Sequence, residues 1–362
     1  MRRNSGIGGQ AVLEGVMMRN KNLYAVSCRR SDGEIVTDVK ETHSITEKLP
    51  FLGWPFIRGT VNLIESMVIG IKTLTYSADF IEDTEDPAKA TASKKGGEPA
   101  PEKPAKKQKP ETEAEKSEGM TPGMIFGTIA LSLLLTIGLF FFLPVLVTEG
   151  VTALTGWDSA LATSIIEGIV RIAIFVGYVS VISLMPDIKR VYCYHGAEHK
   201  SINCVENGLP LTVENARRSS KEHKRCGTSF LLFVMVISIL VFSIVNCFTL
   251  YDGDSVIVKV LVRFGVRLLL LPLVAGISYE FLKLAGRSNN KLVDILSRPG
   301  MWMQALTTKE PDDSMLECAI ASVEAVFDWK AFINGENGND VSGSAENSGQ
   351  STEKCAGSEC GI

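Results

Sequence analysis

Hydrophobic residues in this chain are concentrated in four long runs between residues 124 and 285. Each run is near the roughly 20 apolar residues that a helix needs to cross the hydrocarbon core of a bilayer. The runs are Met124–Val147, Ala160–Met185, Thr228–Leu250 and Val256–Ala285. This pattern predicts a mainly α, polytopic membrane protein with about four transmembrane helices.

The basic residues between these runs predict the orientation of the chain. The connections at 148–159 and 251–255 carry acidic residues and no Lys or Arg, whereas the 186–227 connection carries eight basic residues. The segments before the first run and after the last run are also basic. We therefore expect both termini and the 186–227 loop on the cytoplasmic side of a bacterial cell membrane, with the lipid bilayer as partner.

Outside the membrane runs, three kinds of pattern predict local structure. Alternating apolar and polar residues flank the turn sequence Asp32-Gly33, which is typical of a β-hairpin. The apolar stretch after residue 50 contains Arg58 and Glu65, so we favour an interfacial or re-entrant helix over a fifth span. Acidic residues at Asp312 and Asp313 indicate the start of a helix.

These patterns divide the chain into regions with different expected roles. The regions are a β-rich cytoplasmic N-terminal region (1–50), an interfacial or re-entrant helix (51–81), a disordered linker (82–120), a four-span membrane domain (121–285) with its cytoplasmic loop (186–227), a cytoplasmic C-terminal helical segment (286–333) and a disordered tail (334–362). The linker and the tail lack hydrophobic periodicity and cannot bury a core.

Composition narrows the function classes only slightly. The formal net charge of −4 gives no reason to expect nucleic acid as a partner. Eight cysteines without a disulfide-scaffold spacing are expected to stay reduced in the cytosol. The sequence leaves open whether the chain forms a homo-oligomer.

The segment Tyr194–Lys200 carries the most specific chemistry. His195 and His199 are two of only four histidines in the chain, and their i,i+4 spacing places them on the same face of a helix. With Glu198 they form the order His-x-x-Glu-His, the mirrored zinc-hydrolase signature, in which the histidines bind zinc and the glutamate is the general base. Glu198 is therefore the predicted catalytic residue.

Two histidines do not complete a zinc site, which needs four ligands or three and a water. His223 stands three residues before Cys226 in the same loop, a spacing at which both can reach one ion. We expect a divalent metal, zinc in the first place, held by His195, His199 and His223, with Cys226 or Glu206 completing the set. No residues for another cofactor stand out.

Alternatives to this metal site remain at this stage. The histidine pair can be a pair of solvated polar residues, and Glu198 can orient a histidine without taking part in catalysis. Gly196 lowers helix propensity, and a break in the helix there would spoil the same-face geometry. Gln10, Glu14 and Arg19 are expected near the site if the N-terminal region docks there.

Three motifs together resemble a known family. They are Gly8–Arg19, Tyr194–Lys200 with His223–Thr228, and Leu306–Asp313. They are similar to motifs of the YqhQ-like bacterial membrane proteins, a family of unknown function that is catalogued as predicted metal-dependent enzymes. The resemblance implies a multi-pass membrane protein with a predicted metal site, and it implies no substrate.

Three functions are compatible with these observations. The leading hypothesis is a metal-dependent hydrolase that acts on a peptide or lipid-linked substrate, with Arg217 or Arg225 stabilising developing negative charge. The second is a transporter or lipid- or ion-handling protein with a path lined by charged residues of the spans. Those residues are Glu167, Arg171, Arg263, Arg267 and Glu280. The third is a non-catalytic scaffold with a structural metal.

Overall fold

The computed structural model describes residues 4–85, 122–156, 159–246, 256–287 and 290–335. The predicted disordered linker and tail lie almost entirely outside these ranges, as does the 251–255 connection. By the contacts between residues, the chain divides into two compact units. The first comprises 1–81, 180–233 and 272–362, and the second 82–179 and 234–271.

The N-terminal region is a four-stranded antiparallel sheet, as the alternating pattern predicts. Its strands follow in chain order and are β1 (Gly8–Val12), β2 (Gly15–Asn20), β3 (Leu23–Arg29) and β4 (Ile35–Glu41). The last turn contains Gly33 at φ +91°, a conformation that costs glycine little. Across this turn Arg29 pairs with Ile35, which confirms the predicted hairpin.

The described remainder is mainly helical. The helices are α1 (Ile45–Lys48), α2 (Ile57–Glu85), α3 (Pro122–Ile137), α4 (Leu143–Thr155), α5 (Ala160–Ile182), α6 (Pro186–Glu206), α7 (Val213–Arg218), α8 (Gly227–Asn246), α9 (Val256–Arg287), α10 (Lys291–Thr307), α11 (Asp313–Val326) and α12 (Trp329–Ile333). A 3₁₀ turn at Pro50–Gly53 follows α1, and a π-helical turn at Gly138–Phe142 joins α3 to α4. The 186–227 loop is thus largely helical.

Within the described residues, four helical segments are long and apolar enough to cross a membrane. They are Ala130–Thr155, Leu161–Ile182, Gly227–Val245 and Phe264–Gly286. Their number agrees with the four hydrophobic runs, although the first and last begin later than those runs. The π-helical turn in the first lies just before Pro144. Because Pro144 has no N–H, the Phe140 carbonyl lacks its usual helical donor, and it accepts from Arg171 Nε at 3.2 Å.

Helix α2 packs along the C-terminal half of α9. Arg58 forms two hydrogen bonds of 2.6 Å with Glu280, which neutralises both charges. Beside them, a Cβ added to Gly59 would lie 2.9 Å from the Gly276 Cα, so only glycine permits this approach. Further along α2, Glu65 accepts from the Ile45 N–H at 2.8 Å. The interfacial or re-entrant placement of this segment stays a prediction.

The sheet is covered on both faces, which explains why most of β2 and β3 is buried. On one face Val16 and Met18 join a core with Tyr194 of α6 and Leu316 of α11. On the other face Met17 joins a smaller cluster with Ile69 of α2. Burial of this size on two faces fixes the sheet against the helix that carries the candidate chemistry.

Helix α11 begins where the acidic residues predict it. Asp312 is its N-cap, and the side chain accepts from the Met315 N–H at 2.9 Å. The segment before it lies against α6 so closely that a Cβ at Gly196 would be 2.0 Å from the Lys309 carbonyl oxygen. Gly196 therefore allows α6 to pack closely against the segment that contains Lys309, and α6 is continuous through this residue.

Candidate metal centre

Helix α6 brings His195 and His199 together. They lie one turn apart on the same face, with ring centroids 4.4 Å from each other. His199 is 1% exposed, and the His195 side chain is 13% exposed. The helix is continuous from Pro186 to Glu206, so the geometry that the spacing predicts is present.

Cys226 reaches the same point from the residue that precedes α8. Its Sγ lies 3.3 Å from His195 Nε2 and 3.1 Å from Thr228 Oγ1. One ligand atom from each of His195, His199 and Cys226 lies within 4.8 Å of the others. Such a spacing can accommodate one metal ion among three donors, and we call this group the trio.

The outer nitrogen of each imidazole is held by a backbone carbonyl. His195 Nδ1 lies 2.9 Å from the Thr307 oxygen, and His199 Nδ1 lies 2.6 Å from the Lys221 oxygen. A carbonyl accepts only, so each Nδ1 carries a proton and Nε2 is the nitrogen of each ring that is left for the trio. Metal-ligating histidines are commonly fixed in this way.

The protonation states of the residues in the trio depend on one another. Burial opposes ionisation of Cys226, but His195 and then His199 outweigh it and hold the pKa of the thiol well below its ordinary value. Burial lowers the pKa of His195, but the Cys226 thiolate and Glu198 raise it to about 9. A thiolate beside imidazoles is the form in which cysteine binds metals.

Glu198 lies at the edge of the trio. Its Oε2 is 3.9 Å from His195 Nε2, and its side chain is 7% exposed. Burial raises the pKa of this carboxyl above its ordinary value, although His199 and His195 oppose the shift. Strand β1 lies against it, because a Cβ at Gly9 would be 2.8 Å from Glu198 Cγ.

His223 and Glu206 lie beside the trio and face each other. His223 Nε2 is 3.5 Å from Glu206 Oε2, and Glu206 also bonds Arg225 and the Ser5 hydroxyl. Burial raises the pKa of Glu206, but His223 and Arg225 outweigh it and hold the value at about 2. The His223 ring centroid is 5.7 Å from that of His199. Metal ligation by His223 and Glu206 stays a prediction.

Several residues that position the site were not predicted from the sequence. Gln304 of α10 accepts from the His223 N–H at 2.9 Å and donates to its carbonyl at 2.7 Å. Asn203 donates to the Ser220 and Glu222 carbonyls and so shapes the segment that leads to His223. Gln304 is a polar residue among apolar neighbours on a helix, and that is the one sequence signal that points to it.

Glu14 of the N-terminal sheet and the two arginines named for charge stabilisation contact groups outside the trio. Glu14 contacts Arg190 and accepts from the Tyr194 hydroxyl at 3.2 Å, so it fastens the sheet to α6. Arg217 is paired with Asp313 on the surface, and Arg225 is paired with Glu206. Stabilisation of developing charge by either arginine stays a prediction.

Three charged residues of the spans satisfy one another in the second unit. Arg267 donates to both Glu167 oxygens at 2.6 and 2.7 Å, and Arg171 donates to Glu167 at 2.6 Å. We call these three residues the triad. Glu280 is paired with Arg58, and the side chain of Arg263 lies outside the described residues. This pairing supports a structural role for the described members of the set.

Comparison with known proteins places the chain in a family. The family model "Protein of unknown function (DUF1385)" matches residues 54–329. The protein described as "Uncharacterized protein YqhQ" from Bacillus subtilis (strain 168) is 36% identical over 336 residues, which cover 90% of this chain and 93% of that protein. No solved structure matches the chain. The chain therefore belongs to this family of unknown function, and the resemblance to YqhQ-like proteins is confirmed.

Proposed function

We propose that this member of the DUF1385 family is a metal-dependent hydrolase of the cytoplasmic membrane, with a divalent ion held by His195, His199 and Cys226. The observation that carries the proposal is the convergence of these three donors on one point. Four apolar helices support the membrane assignment.

The donor set favours zinc and a catalytic site over a structural one. Two imidazole nitrogens and a thiolate suit zinc, whose structural sites use four protein ligands. Catalytic zinc sites use three protein ligands and leave the fourth position to water. When bound, such an ion supplies the Lewis acidity that makes water a nucleophile near neutral pH.

Glu198 is the proposed general base. Its carboxylate is close enough to the trio to accept a proton from a water held there, directly or after a small rotation. The raised pKa of Glu198 brings the carboxyl nearer to neutral pH, where a base takes up and releases protons most efficiently. The same carboxyl would return the proton to the leaving group.

The positions of the ligands along the chain support a site at the membrane surface. Cys226 directly precedes the apolar segment Gly227–Val245, and α6 begins four residues after the end of Leu161–Ile182. The basic residues of 186–227 support a cytoplasmic position for this face. A substrate held at or in the membrane, a lipid-linked compound or a peptide, fits this position.

Replacement of Glu198 by Gln tests the assignment. The amide keeps the shape but cannot accept a proton, so we expect the metal to stay bound and hydrolysis of chromogenic ester or peptide substrates to fall about 10²- to 10⁴-fold. Glu214→Gln, at an exposed glutamate of the same cytoplasmic region, is the matched control. Unchanged turnover in Glu198→Gln would exclude the general-base role, and loss of metal would make Glu198 a ligand.

A further inference from the structure

A cavity of about 440 Å³ lies next to Glu198, separated from it by strand β1. Gly9 lines the cavity, and the position of its absent side chain is occupied by Glu198, at 2.8 Å from Cγ and 2.9 Å from Cδ. At this point only glycine backbone stands between the cavity and the carboxyl group. The cavity is therefore adjacent to the proposed catalytic residue.

The glycines of the cavity wall are not all required by the fold. Gly6 has φ +80°, which favours glycine, but Gly8 has no such constraint. A Cβ at Gly8 would meet no atom within 4 Å, so packing does not exclude a side chain there. Glycine without a conformational or packing reason indicates that something else approaches the backbone closely. The cavity leaves room for such an approach at Gly8.

The charge of the cavity selects an anion. Arg19 and Lys21 line it, and none of its lining residues is acidic. Glu65 contacts Arg19 at 3.7 Å but is not part of the wall. Asn62 and Ser66 add polar groups from α2. Two cations with neutral donors suit a phosphate group, which accepts several charge-assisted hydrogen bonds.

The remaining wall is apolar and includes one residue of a candidate membrane span. Met17, Ile69 and Tyr279 supply it. Tyr279 belongs to the apolar segment Phe264–Gly286, seven residues before its end, which corresponds to roughly 10 Å along a helix. The cavity therefore lies beside the end of a candidate span and not beside its centre.

Helix α2 also exposes apolar side chains close to the polar ones that line the cavity. Ile64 is 54% exposed and Met67 is 58% exposed, and these positions alternate with Asn62 and Ser66 along the helix. A polar cavity near the end of a candidate span, with apolar helix surface nearby, is typical of a site for an amphiphile, because each part of the molecule meets its own environment.

We propose that this cavity binds the phosphate head group of an anionic lipid or lipid-linked compound on the opposite side of strand β1 from Glu198. The inference deepens the proposed function, on which its substrate role rests, by naming an anionic, phosphate-bearing amphiphile as the substrate class. Arg19 and Lys21 hold the phosphate, and the wall of Gly6, Gly8 and Gly9 allows the head group to reach the backbone.

Lipid binding by the full chain tests the proposal. Native mass spectrometry of detergent-purified protein would compare added phosphatidylglycerol with phosphatidylcholine. We expect preferential retention of phosphatidylglycerol, reduced at least about tenfold in Gly8→Leu, which fills the cavity, and severalfold in Lys21→Gln. Gly177→Leu is the control, because a Cβ at Gly177 also meets no atom within 4 Å but the residue is not part of the wall.

Equal retention of both lipids, or full binding in Gly8→Leu, would overturn the proposal. A second experiment adds inorganic phosphate to the protein with bound phosphatidylglycerol. Displacement of the lipid only at high phosphate concentration supports a lipid as the bound molecule. Binding of phosphate without any preference between the two lipids contradicts the proposal. Metal content measured on the same samples separates the two hypotheses. Lost lipid preference with bound metal defeats this inference alone, whereas absent metal with intact lipid preference defeats the proposed hydrolase.

Discussion

The trio of His195, His199 and Cys226 and the triad of Glu167, Arg171 and Arg267 are both buried, but the triad is held by permanent opposite charges and the trio by an exchangeable proton. In the triad one carboxylate accepts from two guanidinium groups. In the trio three electron-pair donors face one another, and only a proton or a metal ion can lie between them. Buried charged residues that pair with one another indicate a structural role, whereas converging electron-pair donors indicate a binding site for a ligand.

The largest expected effect comes from breaking the triad. Glu167→Gln leaves two buried arginines without their carboxylate, and removing one partner of a buried ion pair costs about 3–5 kcal/mol. We expect a large fall in the thermal unfolding midpoint in detergent, with the metal content of the folded fraction unchanged. A midpoint equal to that of wild type would show that the triad is not a structural element.

A smaller loss of stability is expected when the pair of Glu206 and His223, beside the trio, is broken. The pKa of Glu206 is lowered from its ordinary value of 4.5 to about 2. The ionised carboxylate therefore stabilises the fold fully at pH values above 4.5, and this stabilisation is lost as the pH falls from 4.5 towards 2. The contribution at neutral pH is up to roughly 3 kcal/mol.

Glu206→Gln removes that titration. The variant should be less stable than wild type at pH 7, and the difference should shrink between pH 5 and pH 3, as thermal unfolding would measure. Its metal content should equal that of wild type if the trio alone holds the ion. A constant difference across this range would contradict the pairing, and lost metal would return Glu206 to the ligand set.

The smallest effect is expected at an exposed pair of the same charge types. Arg218 and Glu214 are in contact, but their side chains are 74% and 68% exposed. Exposed pairs contribute about 0–1 kcal/mol because water screens them. Arg218→Ala should therefore leave the unfolding midpoint within about 2 °C of wild type. A shift as large as that of Glu167→Gln would break the distinction between buried and exposed pairs.

Periodicity and local turn chemistry predicted much of this fold. The four apolar runs, the Asp32-Gly33 hairpin and the Asp312 N-cap depend on neighbouring residues, so the sequence carries them directly. Helix α10 lies in the C-terminal segment (286–333) that was predicted to be helical, but its bounds were not predicted, because its apolar positions are interrupted by Pro299 and Gly300. The reason for a glycine at position 196 was also not predicted, since the Lys309 carbonyl that requires it is distant in the chain.

The candidate site was predictable in its centre and not at its edge. The i,i+4 spacing placed His195 and His199 together, and Cys226 was among the expected ligands. Which of His223, Cys226 and Glu206 reaches the pair depends on tertiary packing, and here Glu206 pairs with His223 and Arg225. The backbone carbonyls of Lys221 and Thr307 orient the imidazoles, and backbone groups carry no sequence signal.

The central claim is that the trio binds a divalent metal ion, and metal content tests it most directly. Protein purified in detergent without a histidine tag or chelator would be analysed by plasma mass spectrometry, as wild type, as His195→Ala/His199→Ala, and as His43→Ala. His43 is an exposed histidine of the N-terminal region and serves as the control. We predict near-stoichiometric divalent metal, with zinc foremost, in wild type and His43→Ala and its loss in the double variant. Metal-free wild type, or equal metal in the double variant, would contradict the claim.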